Sequence, residues 1–381
     1  MEINNWYRDN FEFRISGRYL TMQQIYPLLD MYKTIYQISV PGLSEMGQDI
    51  PLIKIGNGPK VVLGWSQMHG NESTTTKALF DFLKFVSQKH SFKKEIDQFL
   101  SNYTFYVFPI LNPDGSKLYT RENGNKIDLN RDAQLLSQKE SLCLKNVFSE
   151  LKPSLCLNLH DQRSIYGFKN GKAATVSFLA PAADEKRTVT DSRKIAMQQI
   201  VKMSNSLHKY IPGQVGRYDD GFNEACVGDT FQKTGVPTIL FEAGHFEQDY
   251  EREKTREFIF YSLLSLFDII EEKADSISYE QYFDIPENLK NYNDFILRNV
   301  KLPNEKKLVS VAIQYNEVLK KDKILFEPVI DEIGILKDRF GHSEKNIDGQ
   351  EILTNPQHNL TVGANISEII NKNDNSVIYF Q

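Results

Sequence analysis

His69 and Glu72 stand three residues apart, where the apolar run Val-Val-Leu-Gly-Trp-Ser-Gln-Met comes to an end. Two readings compete for this pair. A carboxylate in the first turn of a helix is favourable for electrostatic reasons alone, and the same spacing suits two ligands of one metal ion. Other run ends decide between them. The run Pro-Ser-Leu-Cys-Leu-Asn-Leu stops at His160, and Thr-Ile-Leu-Phe stops at Glu242. A further run, Tyr103 to Leu111, opens into Asn112-Pro113-Asp114-Gly115 and a polar loop. Histidines and carboxylates gathered at successive run ends favour the metal.

The types and spacing fit a catalytic zinc site, with one zinc per chain. Such sites use three protein ligands, His-Glu-His among the usual sets, and keep a position for water. His69 and Glu72 would come from one loop and His160 from another strand. Zinc lowers the pKa of its water to about 7, and a carboxylate can take the proton as the water attacks a carbonyl. Glu242 sits at a neighbouring strand end and is not needed as a ligand, so it is the candidate base. Asn112 to Gly115 reads as structural, because Pro at the second place and Gly at the fourth suit a type I turn.

Chemistry in open α/β sheets gathers outside the carboxyl ends of the strands. The runs 60–68, 103–111, 153–160 and 238–244 are short and apolar on both faces, as central strands covered by helices are. Between them lie amphipathic stretches. Leu79, Leu83 and Val86 recur at helical spacing, as do Phe260, Leu263, Leu264, Phe267 and Ile270. The charged run 251–257 reads as a solvated helix start. The expected fold is α/β, a twisted, mostly parallel mixed sheet flanked by helices. Residues 45–275 form this catalytic domain, and 1–44 pack a short helix, 21–32, against it. Residues 276–381 form a small, mainly β appendage.

Bulk composition excludes several classes. With 381 residues, 40% hydrophobic and 25% charged, the chain can bury one sizeable domain and a smaller one. A net charge of −5 argues against a general nucleic-acid binder. No basic stretch leads into an apolar core at the N-terminus, and no run reaches the ~20 apolar residues that span a bilayer. Cys143, Cys156 and Cys226 include no Cys-x-x-Cys and suit inert thiols in a reducing cytoplasm. His245 follows Glu242 at the Glu-x-x-His spacing of di-iron helices, but Gly244 and the preceding strand make a helix there unexpected.

Taken in order, His69-x-x-Glu72, Asn-Pro-Asp-Gly, Asp-Leu-Asn-Arg at 128–131, His160 and Glu242 in Phe-Glu-Ala-Gly resemble the zinc carboxypeptidases related to carboxypeptidase A. The resemblance covers roughly 45–275. It implies His69, Glu72 and His160 as zinc ligands and Glu242 as general acid/base. Asn130 and Arg131 match the pair that holds the substrate's terminal carboxylate, for which a guanidinium fork is well shaped. Arg121 matches an arginine that stabilises the oxyanion, and Asp128 an aspartate that orients the first zinc histidine. Tyr218, 24 residues before Glu242, stands near the family's mobile tyrosine and is taken as substrate-binding. Asp229 lies where side-chain preference is set and is read as structural.

The implied protein is a short, cytoplasmic, bacterial-type member without a propeptide. It is expected to be a zinc metallocarboxypeptidase that hydrolyses the C-terminal amide bond of peptides, using zinc-activated water with Glu242 as base. Its substrates carry a free carboxylate, with no nucleic-acid or membrane partner. The alternative is a zinc amidohydrolase acting on N-acyl amino acids or cell-wall peptides, because aspartoacylase relatives share the His-Gly-Asn-Glu start. A binding protein that kept the fold without catalysis is a third reading, disfavoured by the intact set of polar residues.

Overall fold

The computed structural model of the chain describes residues 3–88, 92–270, 277–302, 307–354, 360–371 and 377–379. They fall into two compact units, Met1–Gln162 with Ala174–Asn288, and Arg163–Ala173 with Leu289–Gln381. The expected boundary at 275–276 falls within residues 271–276, which lie outside the described set.

The helices of the first unit are α1 (Ile3–Asn10), α2 (Met22–Tyr32), α3 (Thr74–Ser87), α4 (Lys93–Asn102), α5 (Pro113–Leu118), α6 (Lys139–Leu151), α7 (Asp191–Leu207), α8 (Val227–Lys233) and α9 (Glu253–Leu266). In chain order the strands run β1 (Gln37–Leu43), β2 (Asp49–Ile55), β3 (Lys60–Ser66), β4 (Tyr103–Phe108), β5 (Leu155–Asp161), β6 (Tyr166–Gly167), β7 (Val176–Leu179), β8 (Val215–Arg217) and β9 (Thr238–Ala243). All but β6 form one eight-stranded sheet, ordered β1-β2-β4-β3-β5-β9-β7-β8. The central strands β4, β3, β5 and β9 are parallel, and antiparallel pairs join β1–β2, β2–β4 and β7–β9. This is the mixed, mostly parallel sheet that the apolar runs call for.

Alternation along the strands divides the core in two. Val62, Leu157 and Leu159 join Phe80 and Leu83 of α3 and Ile259 and Leu263 of α9 in one cluster. Leu63, Trp65 and Cys156 join Val147 and Phe148 of α6 and Phe231 of α8 in the other. Both faces are therefore covered, which is why these strands lack polar alternation. Helices α1 and α2 add Trp6, Tyr7, Ile25 and Leu28 to the first cluster.

Two local expectations are corrected. Asn112 to Gly115 is not an isolated type I turn: Asn112 caps α5, its side chain accepting the Gly115 N–H at 2.8 Å, with Pro113 as first helical residue. That arrangement uses a side-chain cap and a proline preset for helical φ. The run 251–257 is not solvated along its length either. Arg252 and Arg256 are buried, and Arg256 Nη2 lies 2.6 Å from Asp81 of α3, both side chains fully covered. Lys77 of α3 likewise meets Glu253 at 2.6 Å. Pairing makes this burial tolerable, since a lone buried charge is costly.

Among the described residues the second unit is built of strands, in keeping with the mainly β texture of the sequence. It holds β10 (Leu289–Lys290), β11 (Tyr292–Lys301), β12 (Leu308–Lys320), β13 (Lys323–Gly334), β14 (Phe340–Asn346), β15 (Ile352–Thr354), β16 (Glu368–Asn371) and β17 (Val377–Tyr379). The sheets β13-β12-β11-β14 and β15-β16-β17 share a core of Leu297, Val311, Ile313, Ile330, Ile352 and Ile369. Strand β6 pairs with β10 in this unit.

Candidate metal centre and active site

Strand β3 ends at Ser66 and the chain turns sharply at Gln67, whose φ of 45° lies in the left-handed region. The Gln67 side chain is buried and donates to Leu20 O (3.0 Å) and Gly70 O (2.9 Å), which holds this uncommon conformation. Gly70 has no room for a side chain, because a Cβ there would lie 1.9 Å from the Gly115 carbonyl carbon of α5. The turn thus presents His69 and Glu72 between β3 and α3. His160 is the penultimate residue of β5, so the donors gather at the carboxyl ends of two adjacent parallel strands.

The three side chains converge. His69 Nδ1 lies 2.8 Å from Glu72 Oε1, and His160 Nδ1 lies 2.8 Å from Glu72 Oε2. The two Nδ1 atoms face each other at 3.0 Å. All three residues are buried or nearly so. The Asp161 N–H also donates to Glu72 Oε2 at 3.1 Å, orienting the carboxylate from β5. Burial alone would raise Glu72, but the two histidines hold its carboxyl far below the usual range. Burial lowers His160, whereas for His69 the opposing pull of Glu72 and Asp128 outweighs burial and raises it. Two imidazoles and a carboxylate aimed at one buried spot are the donor types that a zinc site uses, with bonds of about 2.0–2.2 Å. The residues present fit that ion.

Asp128 accounts for the free side of His69. Its Oδ1 lies 3.1 Å from His69 Nε2, and its Oδ2 accepts from Arg121 Nε at 3.0 Å. One carboxylate therefore aligns the imidazole and the guanidinium together. Arg121 Nη1 lies 3.2 Å from His69 Nδ1 and 3.5 Å from Glu72 Oε1, which puts a fixed positive charge at the donors. Asp128 also accepts the Asn130 N–H at 2.9 Å. Asn130 Oδ1 accepts the Val227 N–H at 3.1 Å, and Arg131 Nη1 donates to Asn130 O and approaches Cys226 Sγ at 3.1 Å. The loop 128–131 is thereby tied to the start of α8.

Glu242 is the register partner of His160 across β5–β9. Its carboxyl is buried with Oε2 lacking a hydrogen-bond partner among the described residues. Burial, with Glu72 and Asp161 nearby, pushes it well above the ordinary carboxylate range. Tyr218 follows β8 at the sheet edge, half-buried, its N–H donating to Phe178 O at 2.9 Å. In strand order β8 is separated from β5 by β7 and β9. Asp229 in α8 is buried and accepts the Asn223 N–H at 3.3 Å.

Three residues of this neighbourhood escape a reading of the sequence alone: Asp161, Arg252 and Cys226. Asp161 accepts from Thr74 N and Oγ1 at 3.0 and 2.6 Å, joining β5 to the start of α3. It follows His160 directly, and that adjacency is the one signal the sequence offers. Arg252 and Cys226 reach the site through contacts with residues far away in the chain.

Residues 22–226 match the zinc carboxypeptidase family. No curated protein matches the sequence. Among solved structures, a metallo-carboxypeptidase from Burkholderia cenocepacia superposes with a TM-score of 0.53 at 12% identity, over 66% of this chain and 70% of that one. A metallo-carboxypeptidase from Pseudomonas aeruginosa, solved with (2-guanidinoethylmercapto)succinic acid, gives 0.51 at 16% identity, over 66% and 70%. Thrombin-activatable fibrinolysis inhibitor gives 0.50 at 13%, over 70% and 80%. At these identities the structures speak for the fold.

Proposed function

This chain belongs to the zinc carboxypeptidase family and is a peptide-bond hydrolase, and from that premise we propose that it removes single residues from the C-terminus of peptides. His69, Glu72 and His160 would hold one zinc. Bound there, zinc supplies Lewis-acid polarisation and lowers the pKa of a water. Glu242 takes the proton from the attacking water and delivers it to the departing amine nitrogen. Its raised affinity for a proton suits that exchange. Arg121, held by Asp128, stabilises charge developing on the carbonyl oxygen. Asn130 and Arg131 receive the terminal carboxylate, Asp128 keeps His69 in orientation, and Tyr218 closes over the substrate. The free thiols Cys143, Cys156 and Cys226 fit a reducing, cytoplasmic setting. Among the described residues no helix is long and apolar enough to cross a membrane.

The observation that carries this reading is the convergence of the three donors at 2.8–3.0 Å with Glu242 in register beside His160. An N-benzoylated dipeptide and a set of N-acetyl amino acids, offered in parallel to the zinc-loaded protein, test it. Release of the terminal amino acid from the dipeptide alone supports the carboxypeptidase. Deacylation of the N-acetyl amino acids with the dipeptide left intact would transfer the site to the amidohydrolase class.

A further inference from the structure

We propose that Arg252 is a positioning residue that locks the ends of β5 and β9 together and so fixes His160 relative to Glu242. The inference rests on the zinc carboxypeptidase reading of that pair. Arg252 is 2% exposed and directly precedes α9. Its Nη1 donates to Ala243 O at 2.7 Å and its Nη2 to Gln162 O at 3.0 Å. Ala243 follows Glu242, and Gln162 lies two residues after His160. The fork therefore spans the two strands just beyond the residues that matter.

That is where a parallel ladder is weakest. The last register pair of β5–β9 is Asp161 with Ala243. Beyond it the chains part: the Gly244 N–H turns to Thr175 O, and the Gln162 N–H makes one closing bond to Ala243 O at 2.9 Å. A planar guanidinium with donors at fixed separation can bridge two carbonyls in a way that an ammonium cannot.

The fork is also braced from behind. Arg252 sits at φ 60°, in the left-handed region that costs a side-chain-bearing residue conformational energy. Asp249 holds the following turn, its carboxylate accepting the N–H groups of Glu253, Lys254 and Thr255 at 2.8, 2.8 and 3.1 Å. Thr255 Oγ1 donates to Gly244 O at 2.9 Å. The first turn of α9 thus serves the carbonyls of Ala243, Gly244 and Gln162. Packing alone would be met more cheaply by an apolar side chain, since burying a guanidinium carries a desolvation cost.

The test compares Arg252→Met, Arg252→Lys and Ile259→Val, the last a buried α9 substitution that lowers stability without touching the strand ends. Zinc affinity by chelator competition, the visible spectrum of the cobalt(II)-loaded protein, kcat and KM on the N-benzoylated dipeptide are measured for each. Arg252→Met should weaken zinc binding and lower kcat by about 10–100-fold, as outer partners of metal ligands do, with KM held within about twofold because the carboxylate anchor is untouched. The cobalt bands should shift, and Arg252→Lys, which keeps the charge and one bond, should fall between. Ile259→Val should lose melting temperature only. Wild-type zinc affinity and cobalt bands in Arg252→Met would overturn the inference, as would equal losses in Ile259→Val. The metal readouts decide even if the wild type trims no peptide, an outcome that would count against the activity rather than the clamp.

Discussion

His160 and Glu242 are register partners on adjacent parallel strands, so their side chains leave the same face of the sheet one strand spacing apart, ~4.8 Å. The imidazole proposed as a metal ligand and a buried carboxyl with an unsatisfied oxygen are thereby held side by side by backbone hydrogen bonds rather than by a loop. This pairing makes the two residues separable by experiment.

Glu242→Gln keeps the shape of the side chain and removes the proposed base. Zinc content should stay at one per chain while kcat falls by roughly 10²–10⁴-fold, the usual weight of a positioned base. Metal analysis and steady-state kinetics on one preparation check this. Turnover near the wild-type rate would remove Glu242 from the mechanism.

Removal of the ion should act on stability as well as on turnover. A ligand that binds only the folded state stabilises it by about 2.7 kcal/mol at a hundredfold excess over its dissociation constant. Chelator should therefore lower the melting temperature of the wild type and abolish hydrolysis, with both restored by zinc. His160→Ala should melt at the same temperature with and without chelator. A chelator-sensitive His160→Ala protein would contradict the ligand assignment.

Asp128 carries both His69 and Arg121. Asp128→Ala should weaken zinc binding by about 10–100-fold and lower kcat together with it, since two groups lose their alignment. Chelator competition with either variant or wild type gives the affinity directly. An unchanged affinity would show that His69 needs no such partner.

Asp229 predicts a pH dependence of stability. Burial pushes its carboxyl up to about 6 from 3.8, with the Asn223 N–H and Arg131 pulling the other way. Between those values the folded chain holds a proton that the unfolded chain has lost. Stability therefore falls as pH rises through that window, and the loss is complete above pH 6, on the order of 2–3 kcal/mol. Asp229→Asn should melt higher than wild type at pH 7.5 and alike at pH 4. Parallel melting curves across that range would show that the carboxyl is not desolvated.

The sheet and the donor set were legible because central strands and their carboxyl ends leave a local signature, an apolar run stopped by a polar residue. His69, His160 and Glu242 are such stops, and Glu72 follows His69 by three residues. What was not legible depends on partners distant in the chain. The charged run 251–257 looks solvated until Asp81 and the carbonyls of Gln162 and Ala243 are brought to it. Asn112 to Gly115 carries the residues of a turn and of a helix start alike, and the cap to Gly115 selects the helix. Residues 163–173 group with the C-terminal β unit, which an eleven-residue stretch without periodicity cannot announce.

The most direct measurement is mass spectrometry of peptides incubated with the zinc-loaded protein in matched pairs, one with a free C-terminal carboxylate and one amidated, for wild type and Arg131→Ala. The account predicts loss of one terminal residue from the free acids only, and a KM at least about tenfold higher in Arg131→Ala, as expected when a bidentate charged contact is removed. Equal trimming of acids and amides, or intact peptides throughout with zinc bound, would contradict it.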